Sequence, residues 1–145
     1  MNIAGKNINV TTFGILGFIV LLVAYYIGSR TGKAKTTAAD IDAMTKDINS
    51  SDLTFDISQY VSLADRVYIC VYGITEDEEG LYVVFAKMRT NSDVLQLIKS
   101  FGKRSGGFDF WYEKSLSEWL ASDLNNVEIA KINDILKRNN ITFQF

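Results

Sequence analysis

The sequence contains no histidine and no proline among its 145 residues, and its only cysteine is Cys70. The lack of histidine excludes serine–histidine and cysteine–histidine mechanisms and removes the commonest zinc ligand. One cysteine excludes an internal disulfide, and its place in the apolar run 67–71 predicts a small core residue. A phosphate-binding glycine loop and a metal-ligating cysteine pattern are also missing. Because the spacing of the carboxylates selects no acid–base pair, we predict that the protein is not an enzyme.

Acidic residues are missing from the amino-terminal part of the chain. Residues 1–35 contain four basic and no acidic residues, whereas residues 36–145 contain 11 basic and 17 acidic ones, a net charge of −6. Nucleic-acid phosphates require a concentrated basic surface, so the acidic part is not expected to bind nucleic acid. The basic residues of the first part suit anionic lipid headgroups.

The longest uncharged stretch of the sequence runs from residue 7 to residue 29. About 20 helical residues cross a hydrocarbon core of about 30 Å, so this stretch predicts a transmembrane helix over residues 10–29. Tyrosines at its end, followed by basic residues, are typical of a membrane interface. The predicted contacts with the lipid bilayer are Tyr25, Tyr26, Arg30, Lys33 and Lys35.

Two other interpretations of this stretch are a buried core helix and a cleaved secretory signal. A helix that is apolar on all sides needs a core on every side, which about 110 further residues hardly provide. A signal peptide carries its charges before the apolar run, whereas most of them follow it here. We therefore predict an uncleaved single-pass anchor. The excess of basic residues after it favours a cytoplasmic carboxyl-terminal domain.

The rest of the chain is expected to follow the anchor segment, residues 1–29, in two parts. Residues 30–50 predict a basic hinge and an amphipathic linker helix, whose apolar face contains Ile41, Met44 and Ile48. Residues 51–145 predict one helical domain. Its tail, residues 141–145, alternates apolar and polar residues and predicts a short strand paired with residues 53–55.

Helix-start signals recur along this domain and predict a mainly α fold. Capping-box patterns begin at Thr75, Thr90, Ser115 and Asn125. Together with hydrophobic periodicity they predict five helices, at about 57–72, 76–88, 91–102, 115–124 and 126–138. The residues that the first helix is expected to bury are Ile57, Tyr60, Val61, Ala64, Val67, Tyr68 and Val71.

The order of these five helices and the turns between them resembles a single annexin repeat. Tyr72-Gly-Ile-Thr-Glu-Asp-Glu78 is similar to the calcium-binding turn of that family, and Met88-Arg-Thr-Asn91 to its second turn. Ile98-Lys-Ser-Phe101 is similar to the end of the third helix and Ser115–Leu124 to the fourth helix. The resemblance covers about residues 60–138. The chain has room for one repeat where annexins usually carry four, and small annexin-like proteins of some bacteriophages are a closer likeness.

A weakened calcium site is what this resemblance implies. Its ligands would come from Gly73, Thr75, Glu78 and Asp123, with Thr75 in place of the second glycine of the turn. A β-branched residue there restricts the backbone geometry that wraps a hard cation. The alternative is that the acidic run 76–79 is the first turn of a helix, stabilised by the helix dipole. We favour this alternative and expect no other cofactor.

The segment 103–113 is an insertion relative to the annexin pattern and is rich in aromatic residues. Phe108, Phe110, Trp111 and Tyr112 follow two basic residues and two glycines. Aromatic groups beside basic residues suit a membrane interface or a protein contact. The alternative is that two or three of them fold back onto the small core.

From these observations we predict a single-pass membrane protein with a structural or adaptor role. Its partners would be the lipid bilayer and either a protein partner or a second copy of the chain. If the phage likeness holds, it would be a minor protein of a lipid-containing virion membrane. Two alternatives are a calcium-dependent module that binds acidic phospholipids and a phage lysis-related envelope protein.

Overall fold

The computed structural model describes residues 38–72, 77–106 and 109–145, without the side chains of residues 38–40 and 109–111. These residues form a mainly helical unit with one small two-stranded sheet. The elements in chain order are α1 (Ala38–Met44), a 3-10 turn (Ser50–Asp52), α2 (Ile57–Val71), α3 (Glu78–Ala86), α4 (Asn91–Phe101), β1 (Lys103–Gly106), β2 (Asp109–Ser115), α5 (Leu116–Asp123) and α6 (Asn126–Arg138).

The predicted anchor over residues 10–29 lies outside the described ranges. Within them, no helix combines the length and the apolar character that a membrane crossing requires. The transmembrane helix therefore stays a prediction from the sequence.

The helix starts follow local capping signals. Thr90, Ser115 and Asn125 each accept a hydrogen bond from the third residue of the following helix, and the acidic side chain there bonds back to the cap, which confirms three predicted capping boxes. The start of α3 differs from its prediction. Asp77 caps it by accepting a hydrogen bond from the N–H of Gly80 at 2.9 Å, while Thr75 lies outside the described residues.

The core lies between α2, α3 and α4, and α6 packs against α3. Its fully buried side chains include Tyr60, Phe85, Met88, Leu97, Leu120 and Leu136. Cys70 is also buried, which confirms its predicted core position, and burial raises the pKa of its thiol. A buried thiol with a raised pKa carries little of the reactive thiolate.

The first described helix, α1, belongs to the same packing unit. It packs against α4, with Ile41 buried and Met44 and Ile48 packed on the core, so the predicted apolar face is confirmed. The helix ends at Met44, whereas an apolar face that includes Ile48 predicts an end near residue 48. The hydroxyl of Thr45 donates to the carbonyl of Ile41 at 2.8 Å, at the turn that ends the helix.

Asp93 is a completely buried carboxylate in the first turn of α4. Its two oxygens accept hydrogen bonds from the N–H and hydroxyl of Thr54, the phenol of Tyr60 and the N–H groups of Arg89 and Thr90. Burial raises the pKa of Asp93, but these hydrogen bonds outweigh burial, and the pKa lies below its ordinary value. The carboxylate thus connects three chain segments, because each of them gives it a donor.

The predicted pairing of residues 53–55 with residues 141–145 is wrong. Neither segment is a strand, and the only sheet among the described residues joins β1 to β2. The N–H of Thr54 bonds to Asp93 instead. The tail is in neither a helix nor a strand, and its N–H groups bond to the side chains of Asn91 and Asn133. Side chains of other segments accept hydrogen bonds from backbone N–H groups of both segments. The alternation of apolar and polar residues gives no sign of these side-chain partners.

Candidate protein-interaction surface

A β-hairpin joins α4 to α5 where the sequence predicted an aromatic insertion. β1 and β2 are antiparallel, with Arg104 opposite Lys114 and an irregularity in register between Ser105 and Gly106. Two features of the sequence are typical of a hairpin at this place, although the sequence analysis did not predict one. Gly102 ends α4 with φ of 60°, and β-forming aromatic residues follow the Gly106-Gly107 pair.

An aromatic cluster on the helices fixes the hairpin in place. Tyr68 and Tyr72 at the end of α2 stack with ring centroids 5.1 Å apart, and Trp119 of α5 meets Tyr68 edge-on at 5.7 Å. The phenol of Tyr68 donates to the carbonyl of Ser105, and the indole N–H of Trp119 donates to the carbonyl of Arg104 at 3.2 Å. Burial raises the pKa of Tyr68, so this phenol remains a donor at neutral pH.

Gly106 is needed for this close approach. A Cβ at that position would lie 2.6 Å from the ring of Tyr72 and 2.9 Å from the ring of Trp119. Real Cβ contacts are longer, so any other residue would push the hairpin away from the two rings. The glycine therefore sets the distance between the hairpin and the end of α2.

Arg104 connects the hairpin to the neighbouring helices through several charged contacts, and we call this region the hairpin junction. Its guanidinium pairs with Asp65 of α2 at 2.8 Å and donates to the carbonyl of Phe101 at 3.1 Å. It also lies 5.1 Å from the ring centroid of Tyr68 and 4.8 Å from that of Phe101. On the opposite strand, Lys114 lies 4.9 Å from the ring centroid of Trp119. Arg104 and Lys114 of the hairpin therefore form cation–π contacts with aromatic rings of the same domain.

Exposed apolar residues lie along α2, from its first residue to Tyr72 beside the hairpin. The large apolar residues exposed among the described residues are Ile57, Val61, Ile69, Tyr72, Val83, Tyr112 and Val127. Ile57, Val61 and Ile69 lie on α2 at spacings of four and eight residues, and Tyr72 follows its last residue. We call these four residues the α2 face. Tyr112 belongs to the hairpin that contacts Tyr72. Scattered apolar residues are normal on a protein surface, whereas a contiguous set marks an interaction site.

The α2 face corrects one part of the sequence prediction. Ile57 and Val61 were expected in the core, but they are 53% and 44% exposed. The buried stripe of α2 is Tyr60, Ala64, Val67 and Val71, at spacings of four, three and four. These four residues belong to the predicted set, so the predicted core side of α2 is confirmed and the prediction is wrong only at Ile57 and Val61.

The predicted contact residues are placed unevenly by the structure. Tyr112 is half-exposed on β2, whereas Phe110 and Trp111 lie on β2 with their side chains outside the description, and Phe108 is outside the described residues. The predicted interface residues Tyr25, Tyr26, Arg30, Lys33 and Lys35 also lie outside the described ranges. Sequence reasoning missed Ile69 and Tyr72, because the charged Asp65 interrupts the apolar positions between Val61 and Ile69 and leaves no continuous stripe to detect.

Two of the four predicted calcium ligands, Gly73 and Thr75, lie outside the described residues. Glu78 begins α3 and is one of the carboxylates that, after burial, raise the pKa of Tyr82. Asp123 ends α5, where burial raises its pKa although Ser122 donates to it at 3.1 Å and Lys114 lies nearby. Among residues 38–72, 77–106 and 109–145, no group of three or more acidic or cysteine side chains is arranged to hold a metal ion.

Comparison with known proteins adds no relative to this description. No protein-family model, no curated protein and no solved structure matches the chain.

Proposed function

We propose that this chain is a single-pass membrane protein that holds a protein partner at the membrane through the α2 face and the hairpin. The observation that carries the proposal is the α2 face, which ends at Tyr72 beside the hairpin, together with the exposed Tyr112 on β2. Exposed aromatic and aliphatic residues on a rigid support are typical of protein contacts, because little conformational entropy is lost on binding.

The membrane part of the proposal rests on the sequence. Residues 7–29 contain no charge, and basic residues follow them. A helix over residues 10–29 would attach the acidic domain to the bilayer permanently, so the domain would need no calcium for attachment. This is also how we interpret Thr75 in place of the turn glycine, if the domain is a single annexin-like repeat.

Site-specific photo-crosslinking of the full chain in its native membrane tests the protein contact. A photoreactive residue at Ile69 is expected to give a discrete crosslinked protein, whereas the same residue at Val127 of α6 is not. Val127 is a matched control because it is exposed and apolar, at 77%, and its helix α6 packs against α3 rather than against α2. Equal crosslinking at both positions, or crosslinking to lipid alone at Ile69, would contradict the proposed surface.

A charge substitution gives a second measure of the same contact. With the photoreactive residue at position 112 in place of Tyr112, Ile69→Asp is expected to reduce the yield of the crosslinked product at least tenfold. The melting temperature should stay unchanged because the Ile69 side chain is exposed. Val127→Asp is the control and is expected to leave crosslinking unchanged. If both variants lose crosslinking, the loss is a general effect of the added charge and contradicts a contact at the α2 face.

The anchor is tested by fractionation. Replacing Leu21 and Leu22 with Arg places two charges in the middle of the predicted span, at about 2.5–3.5 kcal/mol each. We expect the full chain to partition into detergent and this variant to leave the membrane fraction. An unaltered chain that stays in the aqueous phase would remove the anchor from the proposal.

A further inference from the structure

Exposed basic side chains from two distant chain segments meet at the end of α6. The side-chain amide of Asn139 donates hydrogen bonds to the carbonyls of Ala86 at 3.3 Å and Met88 at 2.7 Å, and so joins the end of α6 to the loop between α3 and α4. The guanidinium of Arg89 donates to Oδ1 of Asn139 at 3.5 Å. We call the exposed basic residues of these two segments the basic cluster: Lys87, Arg89, Lys137 and Arg138.

The basic cluster lacks ion-pair partners. Among the described residues, ion pairs involve Arg66, Arg104 and Lys131 and no member of the cluster. The two stretches that supply the cluster, residues 80–92 and 135–145, contain its four basic residues and no acidic residue. The cluster is therefore a positive surface on a domain whose net charge is −6.

The carboxylates that flank the cluster neutralise little of its charge. Asp93 is completely buried and bonded to donors of the core side. The carbonyl of Asp52 accepts from the hydroxyl of Thr90 at 3.0 Å, but its carboxylate bonds to the side chains of Asn49 and Ser51. Asp134, one helical turn before Arg138, is exposed and offsets part of the charge without an ion pair.

Helix dipoles explain each half of the cluster but not their meeting. A cation at the carboxyl-terminal end of a helix is favourable, which applies to Lys87 after α3 and to Lys137 and Arg138 in the last turn of α6. The fold places both helix ends together, and like charges that lie close to each other repel. An anionic surface relieves this repulsion because it attracts all four side chains at once.

We propose that the basic cluster binds the anionic headgroups of the bilayer to which the chain is anchored, so that the end of α6 faces the lipid surface. The inference rests on the anchor of the proposed function. Residues 30–37 between the predicted anchor and α1 span at most about 28 Å when extended, which keeps the domain close to the bilayer. Each basic residue near an anionic surface strengthens binding about fivefold.

A lipid surface fits the cluster better than a nucleic acid does. A flat bilayer meets the domain at one end, and acidic residues more than about 8 Å from it are largely screened at physiological salt. A nucleic-acid strand needs a longer basic path with aromatic rings for its bases. The exposed aromatic residues of the described part, Tyr72 and Tyr112, belong to the α2 face and β2 rather than to the cluster.

Fluorescence quenching in reconstituted vesicles tests this docking. The full chain carries a fluorophore at Ala86→Cys, an exposed position beside Lys87, while its native Cys70 is buried. The vesicles contain phosphatidylcholine, part of it with a nitroxide on the headgroup, with or without phosphatidylserine. We expect phosphatidylserine to increase quenching at position 86 at least threefold. Quenching that does not respond to phosphatidylserine would overturn the proposal.

A second label position is the control for the direction of docking. Ala121 is an exposed alanine of α5, separated from the cluster by α6, a helix of 13 residues. A fluorophore at Ala121→Cys is expected to show no increase in quenching with phosphatidylserine. An equal increase at both positions would show adsorption without a preferred side and would overturn the assignment to the cluster.

Charge variants identify the side chains that bind. Lys137→Gln/Arg138→Gln is expected to abolish the increase in quenching at position 86, with the melting temperature checked for each chain. Lys99→Gln/Lys103→Gln removes the same charge at the opposite end of α4 and is expected to retain the increase. Equal loss in both variants would overturn the proposal. If the first variant does not fold, Lys87→Gln/Arg89→Gln tests the other half of the cluster with the same expected loss.

Flotation distinguishes failure of the anchor from failure of the cluster. A chain that floats with phosphatidylcholine vesicles but shows no quenching response to phosphatidylserine keeps its anchor and overturns the cluster. A chain that does not float with phosphatidylcholine lacks the anchor. Flotation with phosphatidylserine vesicles then measures the cluster directly, and its absence would overturn the proposal. A fluorophore at position 86 that responds to a single-stranded oligonucleotide but not to phosphatidylserine would assign the cluster to nucleic acid and overturn it as well.

Discussion

The backbone N–H of Thr54 donates a hydrogen bond to Oδ1 of Asp93 at 2.8 Å, across 39 residues of chain. The same carboxylate caps the loop before α4 through Arg89 and Thr90. One buried side chain therefore fastens the segment before α2 to the start of α4. The structure reveals this contact although the sequence assigned Asp93 only to a capping box.

Asp93→Asn is expected to lower the free energy of unfolding by about 2–4 kcal/mol. The amide cannot accept hydrogen bonds on both atoms, so buried donors of Thr54, Arg89 or Thr90 lose their acceptor. Chemical denaturation of the two chains measures the difference. Asp134→Asn, at an exposed position of α6, is the control and is expected to change stability by less than about 0.5 kcal/mol.

The stabilisation by Asp93 is expected to disappear in acid. Because the pKa in the folded state lies below the ordinary 3.8, the ionised carboxylate stabilises the fold fully above pH 3.8 and progressively less as the pH falls below it. Denaturation curves between pH 7 and pH 3 should show the difference between the wild-type chain and Asp93→Asn shrinking below pH 3.8. A difference that grows in that range would contradict the assigned charge state.

Gly106→Ala is expected to destabilise the hairpin junction by about 1–3 kcal/mol. The added methyl group would overlap the rings of Tyr72 and Trp119, and the hairpin must move to accommodate it. We expect a shift in Trp119 fluorescence and faster exchange of its indole proton, because its bond to Arg104 lengthens. Ser105→Ala on the same strand is the control, and fluorescence that changes equally in both variants would contradict the role of the glycine.

Gly80→Ala is expected to change stability by less than about 1 kcal/mol, although its Cβ would also be crowded. The nearest atoms are the side-chain ends of Asp77 and Arg66, at 2.4 and 2.6 Å, which can move into solvent. The lost surface ion pair and strained cap offset the gain of about 1 kcal/mol from alanine in a helix. Thermal melts of the two glycine variants compare them directly, and a larger loss for Gly80→Ala would contradict this account.

Local signals in the sequence predicted much of the helical framework. Thr90, Ser115 and Asn125 cap their helices as expected, because a capping box is completed within four residues. The apolar face of α1 and the burial of Cys70 also follow from short-range patterns. The annexin resemblance and the membrane anchor stay predictions.

The hairpin and the tail were not predictable in the same way. The pairing of β1 with β2 is local and is signalled by the Gly106-Gly107 pair, but the contacts that place the hairpin and the tail on the domain come from residues far along the chain. Gly106 meets Tyr72 and Trp119, and Asn91 meets Thr142 51 residues away. Neither contact leaves a periodic trace in the sequence.

The sequence by itself determined where α4, α5 and α6 begin, the uncharged stretch of residues 7–29 and the absence of histidine chemistry. These properties depend on neighbouring residues or on composition. Only the tertiary structure decided that Ile57 and Val61 of α2 are exposed and that Asn91 and Asn133 bind the tail. Those choices depend on the shape and the hydrogen-bonding groups of distant segments, which meet only when the chain has folded.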